Sequence, residues 1–190
     1  MRVIAGDLKG RKLKPVPGKR TRPTSDKVKE AVFQMIGPYF SGGICLDLFA
    51  GSGALGVEAI SRGMDYAVFV DKDRQAVKTI DQNIEMLKID KQTEVTKMEA
   101  TRALRIFEKN KAQFNLIFID PPYEQVDYNE LITKIMAHHL LQEDGLIICE
   151  HNRTFDTTFI HSDLTKIKQS DYGTSSVTIF RRHKGGSVHE

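Results

Sequence analysis

The chain has 190 residues, of which 40% are hydrophobic and 28% are charged, and its formal net charge is +3. This balance places it among soluble globular proteins, with enough residues for one ordinary domain and a full core. No apolar run approaches the roughly 20 residues that a membrane span requires.

Most of the positive charge lies in the segment 1–30. This segment contains ten lysines and arginines against three acids, a net charge of +7, whereas the segment 31–190 carries 18 basic and 22 acidic side chains, a net charge of −4. A basic arm on a mildly acidic body indicates a polyanionic partner for the arm, although charge runs are also common on solvated surfaces.

Cysteine and histidine usage gives little sign of special chemistry. Cys45 and Cys149 lie in apolar, strand-like runs without CxxC spacing, so we interpret both as buried reduced thiols of a cytoplasmic protein. No apolar stretch precedes the first charges, and we therefore expect no export. The six histidines include the neighbours His138 and His139, which point in different directions on a helix, and we expect no metal.

The chain begins with a predicted hairpin, in which RVIAG (2–6) and RKLKPV (11–16) flank a Gly/Lys turn. A basic loop then leads into a predicted helix. Ser25 or Asp26 is its expected N-cap, and the helix should end near Gly37-Pro38.

From residue 44 onward, short apolar runs alternate with amphipathic stretches. Strands are predicted at 44–48, 66–70, 93–96, 115–119 and 145–149. Helices are predicted near 53–62, 73–88, 100–110 and 127–140. This alternation predicts a parallel sheet covered on both faces. The segment 164–182 instead predicts two strands joined by a glycine turn, which would form an antiparallel hairpin at the sheet edge.

A glycine-rich loop follows the first of these strands. Gly51, Gly53 and Gly56 match the pattern G-x-G-x-x-G between a strand and a helix, and Asp71 ends the next strand. The interval from Gly51 to Asp71 is typical of nucleotide-binding α/β folds, in which such an acid binds a ribose. The sequence therefore predicts a nucleotide-like ligand at this loop.

Asp47 distinguishes between two candidate ligands. It ends the first strand, close to where the pyrophosphate of NAD would lie, and its carboxylate would repel that group. The same carboxylate would attract the ammonium and sulfonium of S-adenosylmethionine, which we therefore favour over NAD. Glu99 follows the third strand and could accept from the adenine amino group, or it could be an ordinary acid at a helix N-terminus.

The segment Asp120-Pro121-Pro122-Tyr123 ends the fourth strand. Two prolines can simply terminate a strand, because neither donates to a ladder. Beside a cofactor loop they also suit amine methylation: the Asp120 carboxylate and Pro121 carbonyl would accept the N–H groups of a base amine, and Tyr123 would stack on the base. We therefore predict a catalytic site of Asp120, Pro121 and Tyr123. The predicted cofactor contacts are Asp47, Phe49, Gly51, Ser52, Gly53, Asp71, Glu99 and Asp120.

Four segments carry a resemblance to a known family: MRVIAG with KGRKLK, TRPTSDKVKEAVF, DLFAGSGALGVEAISRG and FIDPPY. The chain resembles class I S-adenosylmethionine-dependent amino-methyltransferases, whose signature is [DNS]-PP-[YF]. More narrowly, it is similar to the bacterial small-subunit rRNA guanine-N2 methyltransferases of the RsmD family. Glu99 stands where this family usually has Asp.

The resemblance implies a Rossmann-like class I methyltransferase fold, with a seven-stranded, mostly parallel sheet and an antiparallel last strand. The small N-terminal β-hairpin predicted above would extend this fold. It implies methylation of the guanine at position 966 of 16S rRNA, within the small ribosomal subunit or an assembly intermediate. It also implies a role near the methionine end of the cofactor for Thr24-Ser25-Asp26. With such a substrate, the basic arm would hold rRNA phosphates, and the candidates are Arg11, Lys12, Arg20 and Arg22.

We expect a single methyltransferase domain over 1–190, monomeric, with a basic arm (1–30), a catalytic core (31–184) and a frayed tail (185–190). Other functions stay open at this point. These are a DNA adenine or cytosine amino-methyltransferase, a protein-glutamine methyltransferase and a non-catalytic RNA-binding assembly factor. A DNA enzyme would need a longer target-recognition region, and protein-glutamine sites favour Asn before the prolines.

Overall fold

The computed structural model describes residues 1–18, 26–122, 126–158 and 160–184. Within these ranges five α-helices and seven strands follow one another along the chain. In order they are α1 (Asp26–Ile36), β1 (Ile44–Asp47), α2 (Ala54–Ser61), β2 (Tyr66–Asp71), α3 (Arg74–Leu87), β3 (Thr93–Lys97), α4 (Ala100–Lys109), β4 (Phe114–Ile119), α5 (Tyr128–Ala137), β5 (Leu141–Asn152), β6 (Leu164–Tyr172) and β7 (Ser175–Arg182). None of the helices described is long and apolar enough to cross a bilayer.

The strands described form one sheet in the order β3-β2-β1-β4-β5-β7-β6. Strands β1 to β5 pair in parallel, whereas β7 runs antiparallel to both of its neighbours. This topology confirms the expected fold class and its antiparallel last strand. The chain order reverses between β1 and β4, and ligands of open α/β sheets bind at the carboxyl ends of strands on either side of such a reversal.

The strands are apolar almost throughout because helices cover both faces of the sheet. Alternate residues of one strand therefore enter opposite cores. Phe69 and Phe118 pack with α1, α2 and α3 on one face. Val68 and Ile117 pack with α4 and α5 on the other. Both cysteines are buried and free, and burial raises the pKa of each thiol.

The fifth strand begins earlier than the expected 145–149, at Leu141. The pairing of β4 with β5 shifts register between Phe114 and Leu116. Leu141 pairs with Phe114 and Leu146 pairs with Leu116, so the polar residues 142–144 lie within the irregularity. Asp144 has a φ of 59°, which marks the irregularity. α5 accordingly ends at Ala137, short of the expected 140.

The predicted N-terminal hairpin is present in a short form. Its bridge joins Arg2 and Lys12, and the N–H of Val3 donates to the carbonyl of Arg11 at 2.9 Å. Val3 and Leu13 are buried in the core on the α1–α3 face. The beginning of the arm is therefore packed onto the body of the protein.

One buried carboxylate, Glu58 in α2, attaches the hairpin to the helices beneath it. It accepts from the backbone N–H of Ile4 at 2.9 Å and of Ala5 at 3.0 Å. It also pairs with the ammonium of Lys29 at 3.3 Å and with the Nε of Arg62 at 2.8 Å. All three charged side chains are at most 1% exposed, so a single carboxylate joins the arm, α1 and α2.

The two cations of this cluster have further partners. The Lys29 ammonium donates to the carbonyl of Arg2 at 2.6 Å. The guanidinium of Arg62 lies 4.9 Å from the centre of the Phe33 ring. Burial lowers the pKa of Lys29, and the charge of Glu58 opposes that shift.

Replacing Glu58 should destabilise the protein more than replacing either of its partners. Glu58→Ala leaves two buried cations uncompensated and two amides unpaired, and we expect it to lower the free energy of unfolding by about 3–5 kcal/mol. Lys29→Met keeps the pair of Glu58 with Arg62 and should cost less than about 1.5 kcal/mol. Urea denaturation at pH 7 measures both, and equal losses would contradict this account.

Candidate active site

The first two glycines of the loop between β1 and α2 adopt backbone conformations that other residues rarely adopt. Gly51 has a φ of 57° and Gly53, which caps α2, has a φ of 82°. A Cβ built on Gly51 would meet no atom within 4 Å. The backbone at Gly51 is therefore open to close approach by a ligand.

Gly56 has a different role, in packing. A Cβ there would lie 2.3 Å from the ring of Phe69 in β2, so only glycine lets α2 pack this closely on the sheet. Open space at Gly51 and close helix–strand packing at Gly56 are both typical of nucleotide-binding turns.

Asp71 lies beside this loop, as its spacing predicted. Its two carboxylate oxygens accept from the N–H groups of Gly51 and Asp73, each at 2.9 Å. Each oxygen retains a further lone pair, and the side chain is only partly buried. Asp71 can therefore support the loop and also bind a ribose hydroxyl, a contact that stays a prediction.

Asp47 points inward from the same end of the sheet. Its carboxylate is 1% exposed and accepts from the N–H of Gly56 at 3.1 Å. Burial raises the pKa of Asp47 to about 7, the hydrogen bond from Gly56 opposes this shift and the charge of Asp71 adds to it. The cofactor contact predicted for Asp47 stays a prediction.

Phe49 and Ser52 complete the predicted loop contacts. Phe49 is partly buried against the core on the α4–α5 face. The hydroxyl of Ser52 lies 3.6 Å from the sulfur of Met1, and its carbonyl accepts from the amide of Asn83 at 3.0 Å. The sequence analysis predicted no role for Asn83. An amide on the apolar side of an amphipathic helix could have indicated a buried residue that forms hydrogen bonds.

Glu99 occupies the N-cap position of α4 but forms no capping hydrogen bond with its side chain. That side chain is 65% exposed and pairs with Lys72 at 3.6 Å. Its predicted contact with adenine stays a prediction.

Asp120 follows β4 and is partly exposed, whereas Pro121 is buried. A small cavity at the carboxyl ends of β4 and β5 is lined by Asp120, Glu150 and apolar side chains of α1, α2, β4, β5 and β7. Tyr123 lies outside the described residues. A second carboxylate thus faces the cavity beside Asp120.

That second carboxylate belongs to Glu150, a residue for which the sequence predicted no role. Its Oε1 accepts from the hydroxyl of Ser175 at 3.2 Å, and its backbone carbonyl accepts from the hydroxyl of Tyr128 at 2.6 Å. The sequence could have indicated this position, because Glu150 is an acid near the end of the strand that pairs with β4.

The predicted RNA contacts fall only partly within the described residues. Arg11 and Lys12 are exposed, and Arg11 donates to the carbonyl of Met86 at 3.0 Å. Arg20, Arg22 and the segment 24–25 lie outside the described residues. Among those that are described, no group of three or more His, Cys, Asp or Glu side chains could hold a metal ion.

Comparison with known proteins identifies relatives along most of the chain. The sequence model of a family described as Conserved hypothetical protein 95 matches residues 1–181. The Bacillus subtilis protein YlbH, whose name provisionally describes an rRNA methyltransferase, is 46% identical over 182 residues, which cover 96% of this chain and 99% of YlbH. Ribosomal RNA small subunit methyltransferase D of Escherichia coli K12 is 34% identical over 151 residues, covering 79% of this chain and 74% of that enzyme.

A solved structure agrees with these relationships. The Escherichia coli protein yhhF superposes with a TM-score of 0.83 at 31% sequence identity, covering 96% of this chain and 98% of yhhF. The likeness therefore extends through both the glycine loop and the hairpin at the sheet edge.

The pKa of Asp47 predicts a dependence of stability on pH. An acid whose pKa rises from 3.8 when unfolded to about 7 when folded binds more protons in the folded state between these values. Its contribution therefore weakens the fold as pH rises from about 4 to 7, by at most about 1.4 kcal/mol per pH unit. Asp47→Asn keeps an acceptor for Gly56 but cannot titrate. Urea denaturation should show its advantage over wild type growing between pH 5 and pH 7, and parallel curves would refute this assignment.

Proposed function

Since the chain belongs to the RsmD methyltransferase family, we propose that it methylates the exocyclic N2 amine of a guanine in 16S rRNA, using S-adenosylmethionine. The observation that carries the proposal is the position of Asp120. It follows β4 at the point where the sheet order reverses, beside the strand that leads into the Gly51 loop. A target amine held by Asp120 would therefore lie next to a cofactor held by that loop.

The residues of the loop suit S-adenosylmethionine. The open space at Gly51 allows the cofactor to approach the backbone closely, and Asp71 would bind the ribose of the cofactor. Glu99 would accept from the adenine amine, and the buried charge of Asp47 would favour the cationic end. The cofactor supplies an electrophilic methyl group.

Asp120 and Pro121 would prepare the acceptor amine. The lone pair of an exocyclic amine is delocalised into the ring, which makes the nitrogen a poor nucleophile. Hydrogen bonds from its N–H groups to the Asp120 carboxylate and Pro121 carbonyl would aim the lone pair and stabilise the developing positive charge. The proton released afterwards passes to Asp120 or to water. Tyr123 would stack on the extruded base, and in-line positioning would provide most of the rate gain.

The substrate assignment draws on the relatives and on charge. The Escherichia coli enzyme is named for small-subunit rRNA, and the segment 1–30 of this chain carries a net charge of +7. Arg11 and Lys12, with Arg20 and Arg22, would neutralise rRNA phosphates on the small subunit or its assembly intermediate. We propose that arm (1–30) and core (31–184) act as one monomeric domain in the cytoplasm, where small subunits are assembled.

Loss of the Asp120 carboxylate should abolish most of the methyl transfer. We expect Asp120→Ala to lower the rate about 100- to 1000-fold, as for other groups that stabilise developing charge, with cofactor binding retained. Labelled methyl transfer to small-subunit particles, to free rRNA and to duplex DNA measures this, with the product nucleoside identified. Asp65→Ala is the matched control, since Asp65 accepts from Gly43 at the opposite end of the sheet.

The outcomes of that assay separate the competing functions. Label on guanine N2, lost in Asp120→Ala and kept in Asp65→Ala, would support the proposal. Label on DNA instead would indicate a DNA amino-methyltransferase. Cofactor binding without transfer to any nucleic acid would leave a non-catalytic assembly factor or a protein-glutamine methyltransferase.

Neutralising the arm should weaken RNA binding in a way that depends on salt. Replacing Arg11 and Lys12 by Ala should flatten the slope of log affinity against log salt by about one for each phosphate that the arm no longer neutralises. Lys109→Ala with Lys111→Ala is the control, because these exposed lysines lie at the end of α4, on the face of the sheet opposite to the arm. An arm variant with the wild-type slope would remove the arm from the RNA interface.

A further inference from the structure

Asn83 connects two parts of the protein that are far apart in sequence. It lies in α3, is 0% exposed, and uses every polar atom of its amide. Its Oδ1 accepts from the N–H of Lys14 at 2.8 Å. Its Nδ2 donates to the carbonyl of Lys14 at 3.1 Å and to the carbonyl of Ser52 at 3.0 Å. One buried side chain thus binds the arm and the glycine loop together.

The orientation of this amide follows from its partners. Both groups that face Nδ2 are carbonyl oxygens, so a flipped amide would place an oxygen against two acceptors. Toward Lys14, Asn83 forms the same pair of bonds that a neighbouring strand would form. The arm is therefore attached through its backbone at Lys14, and the Lys14 side chain stays exposed.

The loop is held from two sides at adjacent residues. Asp71 accepts from the N–H of Gly51, and Asn83 donates to the carbonyl of Ser52. The Asn83 attachment is shared with the arm, and Met1 at the start of the arm reaches the Ser52 hydroxyl through its sulfur. A displacement of the arm at Lys14 would thus disturb the segment proposed to hold the cofactor.

We propose that Asn83 is a positioning residue that couples RNA binding on the arm to cofactor binding at the glycine loop. This inference rests on the proposed function. Cofactor in the loop fixes the Ser52 carbonyl and thereby Asn83 and the arm at Lys14. RNA on the arm fixes the same amide from the other side. By linkage, each ligand then tightens the binding of the other by the same factor.

The coupling has a natural internal control on the same helix. Thr79 lies one turn before Asn83, is 3% exposed, and donates through its hydroxyl to the carbonyl of Gln75 within α3. Thr79→Val and Asn83→Leu each remove a buried polar group from α3 while keeping the number and branching of the side-chain heavy atoms. Only the second change releases the arm and the loop. A purely structural role for Asn83 would make the two variants alike.

Calorimetric titration of the full chain tests the coupling. The probes are S-adenosylhomocysteine, which cannot react, and 16S rRNA, each titrated with and without the other. We expect rRNA to tighten S-adenosylhomocysteine binding about fivefold in wild type and in Thr79→Val. In Asn83→Leu this ratio should fall to one, and binding of S-adenosylhomocysteine alone should weaken about tenfold, the equivalent of one or two hydrogen bonds.

Amide hydrogen exchange at Lys14 gives a second readout. S-adenosylhomocysteine should slow exchange of the Lys14 N–H in wild type and Thr79→Val but not in Asn83→Leu. Asn83→Asp provides another variant if the leucine form does not fold. It keeps an acceptor for the Lys14 N–H and loses the donor to the carbonyls, so it should also lose the coupling.

Each outcome of these titrations either supports or overturns the proposed coupling. A ratio of one in wild type, or an unchanged ratio in the Asn83 variants, would overturn the coupling while leaving methyl transfer intact. Absence of S-adenosylhomocysteine binding by the wild-type chain would overturn both this inference and the proposed function. Coupling present in wild type and Thr79→Val, but lost in the Asn83 variants, would establish it.

Discussion

The buried carboxylate of Glu58 is the constraint on which the arrangement of the arm and the first helices depends. A carboxylate removed from water must be surrounded by donors and opposite charges, or its burial costs several kcal/mol. Here the donors come from Ile4 and Ala5, and the charges from Lys29 and Arg62. Satisfying one group thus fixes the hairpin, α1 and α2 relative to one another.

This arrangement also shapes the site. With α1 and α2 held in place, Val32 and Leu55 line the cavity next to Asp120, and α2 packs onto Phe69 through Gly56. The glycine loop then connects a fixed strand to a fixed helix, and its own hydrogen bond to Asp71 completes its conformation. The candidate site is therefore formed by elements that are already positioned by burial, and few of its contacts rely on the loop alone.

Much of the fold could be predicted because the strands are buried on both faces and the glycine loop has a fixed spacing to Asp71. Local patterns could not reveal the tertiary contacts. The start of β5 was missed because Gln142, Glu143 and Asp144 are polar, whereas the strand is extended to Leu141 by the pairing of that residue with Phe114 in β4. Asp47 was recognised as a strand-end acid, but no sequence rule shows that it would bind the N–H of Gly56. Glu58 stands out in the sequence as an acid within the apolar helix ALGVEAIS. Its backbone partners could not be predicted, because they lie in the N-terminal hairpin, far away in sequence.

The way in which the hairpin is attached limits how this protein could be re-engineered. A basic segment of this kind resembles a detachable module that could be fused to another catalytic core. The side chains of Glu58 in α2 and Asn83 in α3, however, bind the backbone of this segment. In such a fusion, both would have to be supplied by the new catalytic core. On a core that lacked these two side chains, the transplanted segment would lose the hydrogen bonds that fix its backbone at Ile4, Ala5 and Lys14. A functional graft would have to carry both helices with it.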